Sequence, residues 1–211
     1  MIKVEYVTHS GDDLLVVNAA RVSFAITHEQ FKDNDEKLII FLANNGHFSP
    51  FTHPQITLRI SAPIFVARQA FRHTVGLTIN EVSRRYVTYE PEMFKPEYWR
   101  NKNPNKKQGS IQGKAHESDK FISQRVNLFY NAAVGLYNEL LALNVCPEQA
   151  RMVLPQAMIT HWYWTGSLAA FARVYNLRSK EDSQYEIQVL AEKIKEIVAP
   201  RYPISWAALT E

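Results

Sequence analysis

An α+β fold, a single mixed domain with a short β-sheet and several long helices, is predicted by three features of the sequence. One segment alternates with period two, several others repeat their apolar residues at helical spacing between recognisable caps, and no internal repeat of solenoid length is present. Residues 2–8 and 13–20, rich in Val and Leu around the turn Ser10-Gly11-Asp12-Asp13, read as two short strands. From Asp35 a helical pattern runs through Leu38, Ile39, Phe41 and Leu42, with Asn34 or Asp35 as N-cap and Gly46 as its stop. Between Gln55 and Ala62, Ile56, Leu58 and Ile60 alternate with Thr57, Arg59 and Ser61, as a half-buried strand requires. Pro63 suits the first position of a helix that reaches about His73 with Ile64, Ala67 and Phe71 on one side. Beyond it, Val75 to Thr78 reads as a loop and Tyr86 to Tyr89 as a strand.

Residues 91–115 hold three prolines, two glycines and a cluster of Asn and Lys, so they read as a mobile surface insertion within one domain spanning 1–211. Ser118 caps a long helix ending near Leu143, whose apolar face is Phe121, Leu128, Phe129, Ala132, Leu136 and Leu140. A short helix starts at Pro147. Thr165 or Ser167 opens another that runs to Asn176, and Glu181 to Val198 forms the last, before Pro200 and Pro203 break it.

Composition narrows the function. With 211 residues, 46% hydrophobic and 21% charged, the chain is a globular domain and neither a disordered nor a collagen-like one. No run approaches the ~20 apolar residues of a membrane span, and the N-terminus lacks the basic start and apolar run of a signal peptide. The single cysteine, Cys146, excludes an intrachain disulfide and a cysteine-rich zinc site, which fits a cytoplasmic location. A net charge of +3 does not announce a nucleic-acid binder, yet eleven Lys or Arg against four acids lie between Arg59 and Lys114, Lys106 and Lys107 among them.

The densest chemistry lies in residues 68–86, where Arg68, Arg72, Arg84 and Arg85 accompany Gln69, His73, Asn80, Glu81 and Ser83. Guanidinium groups grip phosphate through paired N–H donors, Ser and loop amides add more, and a Glu accepts from a ribose hydroxyl or a ring N–H. Cations attracted to a helix C-terminus account for the same pattern without a ligand. Arg151 interrupts the apolar run Met152-Val153-Leu154, either snorkelling to the surface or paired in a cleft, and Arg178 stands between two helices; from the residues alone, helix termination is the preferred explanation of both. The aromatic run His161-Trp162-Tyr163-Trp164 reads as core. His47 and His53 have no nearby carboxylate or third ligand, so no metal site is expected. Gly76 stands alone, which disfavours glycine-rich phosphate loops of the Walker and Rossmann types.

These clusters resemble the flavin-dependent thymidylate synthases. The resemblance is carried by Arg72-His73 with Asn80-Glu81-Val82-Ser83-Arg84-Arg85-Tyr86, and by Ala20-Arg21-Val22-Ser23 and Gly46 through His53. Ala62-Pro63 through Gln69, Ala150-Arg151 with Leu154-Pro155, and Asn176-Leu177-Arg178 followed by Gln184-Tyr185-Glu186-Ile187 extend it along most of the chain. Two departures stand out: Thr74 replaces the third signature residue, an Arg, and eight residues instead of seven separate it from Ser83. Where the family often carries Asn and Arg after the aromatic segment, this chain has Ser167 and Ala169.

The resemblance implies a homotetramer with active sites shared between subunits. It implies methylation of dUMP to dTMP, with methylenetetrahydrofolate as carbon donor and FAD, reduced by NADPH, as hydride source. Gln69, Arg72, Glu81, Val82, Ser83, Arg84, Arg85, Arg151 and Arg178 would meet dUMP, Arg178 at the uracil edge as the catalytic residue. Ser49, Arg72, His73, Thr74 and Glu81 would meet FAD, with Ser23 and Asn80 as further candidates.

Carbon 5 of uracil must become nucleophilic before it accepts a one-carbon unit. A thiolate added at carbon 6 achieves this, and Cys146, at a helix start, is the one thiol that could supply it. Without a thiolate, an Arg at the pyrimidine edge must stabilise the charge that develops on the ring. A cysteine-dependent synthase and a non-catalytic nucleotide or nucleic-acid binding module using residues 59–114 are the alternatives to the flavin-dependent reading. The family resemblance adds neither a nucleic-acid nor a membrane partner.

Overall fold

Four antiparallel strands in the order β1-β2-β6-β3 carry the core in a computed structural model that describes residues 1–105 and 109–210. β2 (Gln55–Pro63) turns Ile56, Leu58, Ile60 and Ala62 to the buried face. β6 (Ile159–Ser167) meets them with Trp162 opposite Ile60 and Trp164 opposite Leu58. The alternation in the sequence is thus the pleat of a central strand, and the aromatic run is core through every second residue. On the other face Ser61 Oγ and His161 Nδ1 lie 2.7 Å apart, and the Thr57 and Thr165 hydroxyls 3.0 Å apart. β1 (Lys3–Ser10) and β3 (Leu77–Glu81) form the two edges.

Aromatic side chains link this sheet to the helices. Phe71 meets Trp162 edge-on at 5.3 Å, Trp162 meets Trp164 at 6.5 Å, and Trp164 meets Phe171 at 5.5 Å. Each such pair contributes ~0.5–1.5 kcal/mol beyond the area it buries. Phe71 caps α3 (Ile64–Ala70) and Phe171 lies in α6 (Leu168–Arg178), so the chain of rings fixes both helix ends against one sheet. α1 (Asp13–Arg21), α2 (Asp33–Asn44), α7 (Tyr185–Val198) and α8 (Pro203–Thr210) complete the core with Val16, Ile39, Leu190 and Trp206.

Several elements differ from the sequence reading. Residues 13–20 are helical, not a strand, because the Asp12 carboxylate accepts the Leu15 N–H at 3.2 Å and caps a turn whose Val16 and Val17 are both buried. Pro203 opens a helix instead of ending one. The buried Asp13 carboxylate accepts the N–H groups of Ile204 and Ser205 at 3.0 Å each, a cap from 191 residues away that local sequence cannot show. α2 starts at Asp33, so Asn34 and Asp35 lie in its first turn, where Asp35 accepts the Lys32 N–H at 2.9 Å; Gly46 ends it at φ +69° as expected. Pro63 closes β2 and holds the cap position of α3, which stops at Ala70 and not near His73.

Leu77 and Thr78, read as loop, belong to the strand Leu77–Glu81. Gly166 on the facing strand makes this pairing feasible, since a Cβ there would lie 2.4 Å from Leu77 Cδ2 and 2.7 Å from the Gly76 carbonyl oxygen. Tyr86 to Tyr89 form no strand; the Arg84 guanidinium bonds the Tyr89 carbonyl and lies 4.3 Å over its ring, folding the segment back. Ser167 caps α6 by accepting the Ala170 N–H at 3.2 Å; that helix reaches Arg178, and α7 starts at Tyr185, four residues later than read.

Within 91–115, Met93 bridges Met158, and β4 (Arg100–Lys102) pairs with β5 (Ser110–Ala115). Lys106 and Lys107 lie outside the described residues. α4 (Asp119–Ala142) has the expected length, and its apolar stripe faces outward. It buries Tyr130, Ala133 and Tyr137, while Phe121, Leu128, Phe129, Ala132 and Leu136 are exposed, Phe121 and Leu128 at 64% each. Its inward side is set by Trp99, whose N–H donates to Asp119 at 2.7 Å and whose indole donates to Ser123 at 3.1 Å, and by α5 (Pro147–Ala150). Apolar periodicity marks a face to be covered and does not say by what. Among the described residues no helix is long and apolar enough to cross a membrane.

Candidate active site

The packed rings that hold α3 and α6 against the sheet bring the last residue of α6 onto the turn after α3. Arg178 Nε–H donates to His73 Nε2 at 2.8 Å, and its Nη2 approaches the Gln69 carbonyl at 3.4 Å. His73 is buried and Arg178 half-buried. Burial, then the charges of Arg178 and Arg173, lowers the His73 pKa from 6.5 to about 4. A guanidinium does not give up its proton, so His73 Nε2 accepts and the imidazole is neutral, with its proton on Nδ1.

A chain of polar contacts runs outward from Gln69. Gln69 Nε2 donates to Gln184 Oε1 at 2.6 Å, Gln184 Nε2 donates to Glu186 Oε2 at 2.9 Å, and Arg100 pairs with Glu186 Oε1 at 2.6 Å. Arg100 also donates to Ser110 Oγ at 2.8 Å and lies 4.8 Å over the Tyr185 ring, which pins the β4–β5 ribbon to the start of α7. Gln69, Arg178, Lys180, Ser183 and Gln184 line a cavity of about 690 Å3 closed on one side by Arg100 and Ser110. A second cavity, of about 610 Å3, is lined by Phe48, Thr52, Val75, Gly76, Ser167 and Arg173; Leu177 lines both. Arg173 donates to the Val75 carbonyl, which fixes the turn at Gly76, whose φ is +73°.

A different group forms at the other end of β3, roughly 13 Å along the strand at ~3.3 Å per residue. There Glu81 Oε1 accepts the Thr160 hydroxyl at 2.6 Å and the Val82 N–H donates to the His161 carbonyl at 2.9 Å. Ser83 Oγ accepts from Arg85 Nε at 3.1 Å, Arg84 is buried against Tyr89, and Arg85 lies 5.0 Å over the Tyr86 ring. Arg72, Thr74, Ser49, Arg151, Ser23 and Asn80 are exposed, and none has a side-chain hydrogen bond or ion pair among the described residues.

One chain therefore unites Gln69, His73 and Arg178, keeps Glu81 to Arg85 as a separate group, and ties the side chains of Arg72, Thr74, Ser49 and Arg151 to neither among the described residues. Sequence reasoning missed Arg100, Arg173, Lys180 and Ser183, and used Gln184 and Glu186 only as parts of a motif. Arg100 carried no signal, since its carboxylate partner lies 86 residues on. Gln184 could have been found as the residue just before a helix whose second position, Glu186, is acidic.

The thymidylate synthase complementing protein family model matches residues 5–204. The flavin-dependent thymidylate synthase of Thermus thermophilus is 37% identical over 208 residues, which cover 99% of this chain and 75% of that one. That of Thermosipho melanesiensis is 37% identical over 196 residues, covering 92% and 83%. Among solved structures, PolB of Streptomyces cacaoi, described as a UMP/dUMP methylase and bound with 5-Br dUMP, superposes with a TM-score of 0.90 at 30% identity over 100% of this chain and 95% of that one.

Proposed function

Because the chain belongs to the family of flavin-dependent thymidylate synthases, we propose that it methylates dUMP to dTMP with methylenetetrahydrofolate as carbon donor and NADPH as the source of electrons. The observation that supports this reading most directly is Arg178. It is a fixed cation on the wall of a nucleotide-sized cavity, held by a neutral imidazole and not by a carboxylate, with Asp182 also on the cavity lining. At a pyrimidine edge that charge stabilises the electron density that carbon 5 needs in order to attack the one-carbon unit, a task worth several kcal/mol in a site shielded from water. Gln69 and Gln184 offer amides to the same cavity for the base or ribose.

The second cavity fits a flavin in its chemistry. Phe48 and Val75 give an apolar wall, Arg173 and the Gly76 backbone border it, and exposed Ser49, Thr74 and Arg72 lie close by in sequence as donors. Flavin bound there would supply the hydride that turns the methylene into a methyl group. Leu177 would then separate and orient the two ligands. Since the electrons come from NADPH, the folate leaves as tetrahydrofolate and not as dihydrofolate.

Glu81, Val82, Ser83, Arg84, Arg85 and Arg151 belong to the nucleotide site in this reading, reached from a neighbouring subunit. A homotetramer is supported by the bare apolar stripe of α4 and by Phe24, 77% exposed, and Met152, 79% exposed. A cytoplasmic location, where the exposed Cys146 thiol stays reduced, is part of the same proposal.

The test is an assay for dTMP with purified protein, each component being omitted in turn and UMP run beside dUMP because the solved relative is described as acting on both. A yellow protein, bleached by NADPH and forming dTMP without dihydrofolate, supports the reading. A colourless protein, or one whose activity vanishes in Cys146→Ala, points to the cysteine-dependent alternative. A colourless protein that binds polynucleotides with steep salt dependence points to the binding module.

A further inference from the structure

We propose that His73 is a positioning residue for Arg178, its Nε2 lone pair holding the guanidinium by one edge so that the other edge is presented to the nucleotide. The proposal rests on the synthase reading above and assigns His73 a task separate from touching the flavin. Its basis is the way the guanidinium is gripped. Nε–H and one Nη2–H lie on the same edge of the planar group, and these are the donors that His73 Nε2, at 2.8 Å, and the Gln69 carbonyl, at 3.4 Å, receive. The remaining edge, Nη1 with the second Nη2–H, has no partner among the described residues, and Arg178 lines the cavity of about 690 Å3.

An imidazole suits this task better than a carboxylate would. A carboxylate would hold the same edge and also cancel the charge, so that the pyrimidine would meet a neutralised pair. A neutral imidazole fixes direction and leaves the full positive charge for the ligand. The charged groups that act on His73 keep it in that state: Arg178 and Arg173 both oppose its protonation, as does its burial. Arg173 does not compete for the lone pair, since its own guanidinium donates to the Val75 carbonyl. Phe71, clamped edge-on to Trp162 at 5.3 Å, sets the turn that carries His73, so the acceptor is held by the core.

The test compares His73→Gln, whose amide oxygen reaches about as far as Nε2, with His73→Asn, which is polar but too short, and His73→Leu, which removes the acceptor. Flavin absorbance, Tm, and kcat and KM for dUMP are measured for each, alone and on an Arg178→Lys background that lacks Nε. In otherwise wild-type protein, Leu and Asn should lower kcat/KM for dUMP by at least about tenfold with flavin content and Tm unchanged, and Gln should restore most of it. On the Arg178→Lys background all three should be nearly equal. Loss of flavin from the Leu and Asn variants, equal activities of Gln and Asn, or an undiminished effect of His73→Leu on the Lys background would each overturn the proposal. Absence of dTMP formation by the wild-type protein would overturn the synthase reading instead, a result distinct from any difference among the variants.

Discussion

The end of α6 and the end of β3 carry the same kinds of residue and are built in opposite ways. At the first, Arg178, His73 and Gln69 come from two helices, are tied to each other within one chain, and stand on a scaffold of interlocking rings from Phe71 to Phe171. At the second, Arg84 and Arg85 turn to neighbours in their own segment, Tyr89, Tyr86 and Ser83, and no distant element reaches Arg85 among the described residues. The group at the end of α6 rests on the core of its own chain. In the proposed reading, donors that bond only their own loop are met by a neighbouring subunit, and the exposed apolar stripe of α4 is a surface for it to cover.

The largest effect should come from the group at the end of α6. Arg178→Ala should lower turnover by roughly a hundred- to a thousandfold, the range seen when one donor to a developing anion is lost, with the flavin spectrum intact. Single-turnover formation of dTMP measures it, and near-normal rates would remove Arg178 from the chemistry.

Next comes the latch that joins the ribbon to α7. Arg100→Ala strands the buried Glu186 carboxylate, to which among the described residues only Gln184 would still donate, and should cost roughly 2 kcal/mol of stability in a denaturant titration. Glu186→Gln, which keeps an acceptor, should cost less. Equal costs would mean that the charge pairing contributes nothing.

The comparison itself is tested by mixing subunits. Arg85→Ala and Arg178→Ala proteins, each weakly active alone, should regain activity when dissociated and reassembled together, because some sites then receive both intact halves. No recovery would place both arginines in sites made by one chain. Phe129→Glu on α4 should lower both the oligomeric state, read by light scattering, and the activity.

The smallest effect concerns pH. His73 in the folded chain takes up a proton only at about 4, against 6.5 for a free imidazole, so the unfolded chain binds more protons between these values. The stability this group contributes is present above pH 6.5 and is lost as pH falls through the folded pKa near 4. Urea midpoints should therefore fall on acidification through that window more steeply in the wild-type protein than in His73→Gln.

Local chemistry made a good part of this legible. The alternation at 55–62, the cap at Ser167 and the stop at Gly46 are properties of neighbours in sequence, and the structure keeps all three. What escaped depended on distant partners. Asp13 caps α8 from the other end of the chain, Gly166 admits β3 to the sheet, and Arg100 finds Glu186; none leaves a periodic or spaced trace. The stripe of α4 was legible as apolar, and its exposure was not, because periodicity gives the face and not what covers it.

The sequence by itself determined the class of the fold and the family, since motif residues and their order survive without coordinates. Tertiary structure alone decided that Arg178 rests on His73 and Gln69, that two cavities share the wall at Leu177, and that the arginines of residues 84 and 85 stand elsewhere. The reason is that a hydrogen bond depends on ångströms between atoms. Over a separation of 105 residues those are set by how Trp162, Trp164 and the rings around them pack, and by no local preference of the chain.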